Sequence, residues 1–280
     1  MKNKQFFQAT LAAFIIFFTS CNNNDKKKET EMKEPKLKEE NVTYAPDNMK
    51  DSLVLDGYIV YDENVEGKRP AVLVVHEWWG LNDYAKMRAR ELAKLGYIAM
   101  AVDMFGNGKR ADNPDAAGAL AGPFYQNPQL AKPLFEAALI KLKTYSQTDP
   151  AKVGAIGYCF GGAQVLNMAK FGEDLKGVVS FHGNLTVVPV NKDLLKAEIL
   201  VCHGAADPFV PQAEVGLFKA EMDSIGAKYS FKAYEGATHA FTNPNATAMG
   251  EKFSLPIKYN AAADSASWKD MKEFFQRIFR

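Results

Sequence analysis

The sequence predicts an α/β fold in which a mostly parallel central sheet carries helices on both faces. Three observations predict it. Dense apolar runs such as Ala71-Val72-Leu73-Val74-Val75 read as strands buried on both faces. Amphipathic stretches separate those runs, in the alternation of strand and helix that a parallel sheet needs. Residues able to do chemistry, among them His76, Glu77, Asp103, Cys159, His182, His203 and Asp207, fall where the apolar runs end. The carboxyl ends of the strands are where such a sheet places its working loops.

The elements follow in order. Residues 53–61 read as one or two edge strands, and 71–75 as the first central strand. Residues 83–95 carry apolar side chains at helical spacing, and Gly96 supplies the stop. Residues 97–102 are a strand. Residues 127–146 read as one helix, with Pro128 tolerated near its start. A strand at 153–157 leads into a helix at 160–171. Strands at 178–182 and 199–203, a helix at 211–225, a strand at 229–234 and a helix at 264–279 complete the pattern. No internal repeat and no second domain is evident.

The start of the chain reads differently. Lys2 and Lys4 precede an apolar stretch, 11–18, that is too short to span a bilayer. A basic head, an apolar middle and the run Phe18-Thr19-Ser20-Cys21 read as a secretory signal, and resemble a bacterial lipoprotein signal in which Cys21 is lipidated. Between Asn22 and Glu40 there are six lysines, six acids and almost no large apolar side chains. Such a stretch buries too little apolar surface to offset its ordering entropy and reads as a tether. The expected organisation is a signal at 1–20, a tether at 21–50 and one folded domain at 51–280. A monomer held to the cell envelope through Cys21, on the periplasmic or outer-membrane face, is expected.

Composition narrows the function. Of 280 residues, 47% are hydrophobic, ample for one large core. The 34 lysines and arginines face 33 acids, so nothing points to nucleic acid or a strongly acidic partner. Three cysteines are too few and too scattered for a disulfide framework or a zinc cluster. No cofactor is called for.

Gly157-Tyr158-Cys159-Phe160-Gly161-Gly162 sits between a predicted strand and a predicted helix, the setting of a nucleophile elbow. The chain turns sharply at Cys159 and crowds the positions two before and two after, where glycine stands. The following helix points its positive end at the sulfur. A thiol nucleophile needs a base, and the base needs an acid to orient it. In this fold the chain order is nucleophile, acid, base. Asp207 lies in a small-residue loop after the 199–203 strand, where helix capping is its competing reading. His239 lies in the loop after the 229–234 strand and is the only histidine beyond Asp207. His182 and His203 read as structural, bonding backbone in the loop floor. His76-Glu77 opens like a zinc helix motif, but Gly80 replaces the second histidine, so no metal site is expected. Cys202 reads as an inert strand thiol.

Together with His76-Glu77-Trp78-Trp79-Gly80-Leu81, these motifs resemble those of the dienelactone hydrolase family, of α/β-hydrolase fold, over residues 54–279. The resemblance implies a triad of Cys159, Asp207 and His239. It also implies that Glu77 faces the resting thiol and that the backbone N–H groups of Phe160 and Trp78 form an oxyanion hole. An acid there raises a thiol's pKa or accepts its proton, whereas its competing reading is a loop-stabilising carboxylate. Family members that open dienelactones hold the substrate carboxylate with two arginines. Here one such position falls in Gly106-Asn107-Gly108-Lys109-Arg110, leaving Lys109 or Arg110 as substitutes. The other is replaced by Thr242-Asn243-Pro244. Trp78, Trp79, Phe124 and Tyr125 suggest an aromatic pocket or ordinary packing. The expected function is hydrolysis of a small ester, lactone or thioester through an acyl-thiol. The alternative is a non-catalytic lipoprotein that binds a small ligand in the same cleft.

Overall fold

The computed structural model describes residues 34–280, so the expectations for the signal segment and for Cys21 lie outside the described residues. Eight strands form one sheet in the order β1-β2-β4-β3-β5-β6-β7-β8. They are β1 (Leu37–Tyr44), β2 (Leu55–Asp62), β3 (Arg69–Val75), β4 (Ile98–Val102), β5 (Thr148–Tyr158), β6 (Gly177–Phe181), β7 (Glu198–Gly204) and β8 (Tyr229–Tyr234). The pairs β1/β2 and β2/β4 are antiparallel, and every later pair is parallel.

The helices are α1 (Asp83–Lys94), α2 (Pro114–Gln126), α3 (Ala131–Lys143), α4 (Phe160–Lys170), α5 (Gln212–Ser224), α6 (Ala246–Phe253) and α7 (Ala261–Ile278). One apolar layer packs α3, α4 and α5 on one face of the sheet, around Phe135, Val165 and Phe218. The other packs α1 and α7, around Leu92, Met271 and Phe275. Because β3 to β7 are covered on both sides, their runs are apolar at nearly every position, as the sequence predicts.

Three expectations need correction. The tether expected over 21–50 ends earlier, because Leu37–Tyr44 pairs with β2 through eight residues. It is charged because it is the sheet's edge, with only Leu37, Glu40, Val42 and Tyr44 turned partly inward. The helix expected at 127–146 is shorter, since a 3-10 turn at Pro128–Leu130 precedes α3. Helices α2 and α6 were not expected. Pro114, Gly118, Gly122 and Pro123 are poor helix formers, yet Pro114 occupies the first turn and the Asn113 side chain caps the Ala116 N–H.

Candidate active site

β5 ends at Tyr158 and α4 begins at Phe160, so Cys159 makes the whole turn. Its backbone takes φ 53° and ψ −116°, a conformation that an L-residue adopts only when its surroundings impose it. A Cβ at Gly157 would meet the Gly161 carbonyl oxygen at 2.0 Å, and one at Gly161 would meet that of Val75 at 2.2 Å. The bend therefore closes only with glycine at both places. α4 is buried from end to end. Its first N–H groups, Phe160's among them, have no intrahelical acceptor.

The Cys159 N–H donates to Phe181 O and to His182 Nδ1, each at 3.0 Å. Since Nδ1 accepts, His182 carries its proton on Nε2, which donates to Thr242 Oγ1 at 2.7 Å. Burial, with His239 and Arg88 adding to it, holds the His182 pKa well below its ordinary value, so the ring stays neutral. Thr242 Oγ1 also bonds Tyr84 OH at 2.7 Å. Arg88 donates to Thr242 O at 2.6 Å and to Asp264 at 2.5 Å, clamping this loop to α1 and α7. His182 thus bonds backbone as expected, whereas the His203 ring has no hydrogen bond among the described residues and packs on Phe231.

His239 follows β8, and its Nδ1 donates to Asp207 Oδ2 at 2.8 Å. The other Asp207 oxygen accepts the Phe209 N–H at 2.8 Å. Both side chains are buried. Burial alone would lower the His239 pKa. The Cys159 sulfur, acting by charge and hydrogen bond, and Asp207 outweigh it and hold the ring up at about 10. The next residue, Ala240, has φ 58°, so backbone strain recurs beside His239 as it does at Cys159.

Glu77 is buried, and Asn243 Nδ2 donates to its Oε2 at 2.6 Å. Burial pushes the carboxyl up to about 7, against the opposing pull of Asn243, His239 and Arg88. His76 donates from Nδ1 to Glu77 O and accepts the Met104 N–H on Nε2 at 3.2 Å, so both ring nitrogens serve the loop. Asp103 anchors the neighbouring loop, accepting N–H groups from Phe105, Gly106 and Gly108.

Glu77, Cys159 and His239 share a cavity of about 180 Å³ whose walls include Trp78, Trp79, Tyr125 and Phe209. Two corrections follow. Lys109 and Arg110 are exposed and do not line the cavity. Their segment instead supports the Trp78-Trp79 loop from behind, where the Ala111 N–H donates to Trp79 O. Phe124 does not line it either, but packs against Phe105 and Phe160. Sequence reasoning missed Asn184, Leu255, Ile257 and the Asn243 partner of Glu77. Only Asn243, four residues beyond His239 in the same loop, left a signal that could have been read. Among the described residues no group of three or more His, Cys, Asp or Glu side chains is placed to hold a metal ion.

This sheet, with a sharp strand–helix bend opposite a histidine–aspartate pair, defines an α/β-hydrolase. The dienelactone hydrolase family model matches residues 55–279, and the chain belongs to that family. Protein usf of Aquifex pyrophilus is 34% identical over 179 residues, covering 62% of this chain and 77% of its own. A relative in Aquifex aeolicus (strain VF5), provisionally named a carboxymethylenebutenolidase, matches to the same extent. Among solved structures, a dienelactone hydrolase-like promiscuous phosphotriesterase from metagenomic libraries superposes with a TM-score of 0.80 at 33% identity. It is matched over 87% of this chain and 99% of its own. The chain is a hydrolase of the dienelactone hydrolase type.

Proposed function

We propose that the chain cleaves a small carboxylic ester, lactone or thioester, with Cys159 as nucleophile, His239 as acid and base, and Asp207 as its orienting group. The observation that carries this reading is the His239 ring, bonded to Asp207 on one nitrogen and acting on the Cys159 sulfur beyond it. His239 takes the proton of Cys159, and the sulfur attacks the carbonyl carbon while the carbonyl oxygen takes up negative charge. The Phe160 and Trp78 N–H groups receive that charge. The tetrahedral adduct collapses, the carbon–oxygen bond to the alcohol breaks, and the alcohol leaves with the proton from His239. Water then attacks the acyl-thiol, His239 takes its proton, and the acid departs with Cys159 restored. Asp207 holds the Nδ1–H throughout, which keeps Nε2 aimed at the reacting atoms. Glu77, in the same cavity, keeps the resting thiol in check through its charge.

Alkylation tests the assignment. Iodoacetamide should abolish turnover of activated short-chain esters by the full chain. His239→Asn should lower kcat by about 10²- to 10⁴-fold. Unchanged turnover with Cys159 fully alkylated rejects the reading. The proposal also places the chain as a monomer at the cell envelope, lipidated at Cys21, on the strength of the signal-like start. The mass of the N-terminal peptide from membranes checks it, and an unmodified Cys21 would refute it.

A further inference from the structure

Among the described residues, no lysine or arginine lines the cavity beside Cys159. Its ionisable lining groups are Glu77, Cys159, His239 and Tyr125, with Asp207 bonded behind the histidine. The partner of Glu77 is a neutral amide, Asn243, rather than a cation. Arg88, whose charge acts on Glu77, is turned elsewhere: its donors go to Glu91, Asp264 and Thr242 O. The amide of Asn184 is also engaged, with Phe209 O at 3.2 Å and Glu214 at 3.4 Å. What remains for a substrate is neutral: the Tyr125 hydroxyl and the indoles of Trp78 and Trp79, set among Phe209, Leu255 and Ile257.

An anionic acyl chain entering this space would lose its water, meet the Glu77 carboxyl and the Asp207 carboxylate behind His239, and find no free cation. Like-charge juxtaposition in a desolvated site is strongly disfavoured. The His239 ring, the cation among the described lining residues, is already bonded to Asp207 and drawn to Cys159. A neutral short chain meets only apolar and aromatic walls.

From this lining we propose that the cavity selects uncharged substrates, taking esters with short neutral acyl chains and rejecting those whose acyl chain ends in a carboxylate. The proposal rests on the hydrolase reading above and names its substrate class. Asn243 contributes by leaving Glu77 without a counter-cation.

Three p-nitrophenyl esters test it on the full, unmodified chain near neutral pH. They are the butyrate, the hydrogen succinate, in which a carboxylate replaces the terminal methyl, and the methyl succinate, which is larger but neutral. The butyrate should exceed the hydrogen succinate in kcat/KM by about a hundredfold or more. The methyl succinate should stay within about tenfold of the butyrate. Equal cleavage of butyrate and hydrogen succinate overturns the proposal. Rejection of both succinates overturns it as well, because size rather than charge then decides. Binding of butyramide and of butyrate, read through Trp78 and Trp79 fluorescence, separates this failure from that of the hydrolase reading. Without turnover of any ester, preferential binding of the amide upholds charge selection, and equal binding refutes it.

Discussion

Glu77 shows what one buried carboxyl does to the whole chain. Its pKa in the fold, about 7, lies above the ordinary 4.5, so folding favours its protonated form. That contribution is complete below the unfolded value and disappears as pH rises through the folded one. From about pH 5 to about pH 8 this group should cost on the order of 2–3 kcal/mol of stability. Denaturant melts at both ends of that range should show the fall in the natural chain and a flatter profile in Glu77→Gln. Parallel profiles would mean that the carboxyl is not raised. Thr242 permits a second prediction. Thr242→Val removes the acceptor of His182 Nε2–H and the partner of Tyr84 OH. It should cost about 1–3 kcal/mol and lower kcat, with Thr242→Ser restoring both. A valine variant that melts and turns over as the natural chain does contradicts the network. Little of this was legible beforehand. The glycines flanking Cys159 are local and could be read, but Asn243 reaches Glu77 across 166 residues and Arg88 reaches Asp264 across 176. Sequence spacing carries no trace of such pairs.

At the scale of elements, the β5–α4 bend depends on the absence of two side chains. Gly157→Ala would drive its Cβ into backbone, which cannot swing away as a side-chain tip can. A loss of about 4 kcal/mol or more, or failure to fold, is expected. Gly118 in α2 and Gly216 in α5 have nothing within 4 Å of an added Cβ. Alanine at either should raise stability by about 0.5–1 kcal/mol, and thermal melts of the three variants compare them directly. The long central strands and α1, α4 and α5 were legible because their apolar periodicity is set by burial in the sheet and its two layers. β1 was not, since an edge strand needs charge on its outward side and so reads like a tether. α2 was not, since the capping by Asn113 outweighs the poor propensity of its glycines.

Across the whole molecule, β1 covers a second strand that is buried at seven of eight positions. A chain begun after Tyr44 should expose that edge, lose the bond that Tyr145 OH donates to Glu40, and aggregate or melt earlier. Light scattering on heating checks this, and an unchanged melt would show that β1 is dispensable. The sheet order brings the ends of β3, β5, β7 and β8 to one rim, so Glu77, Cys159, Asp207 and His239 meet although 162 residues of chain separate the first from the last. That convergence on one sulfur is most directly tested by mass spectrometry of the full chain, quenched in acid during turnover of an activated acetate ester. One acetyl group on the peptide containing Cys159, and none on that containing Cys202, whose thiol burial pushes up to about 12, is the predicted result. Sustained turnover with Cys159 unacylated, or undiminished in Cys159→Ala, would contradict the account.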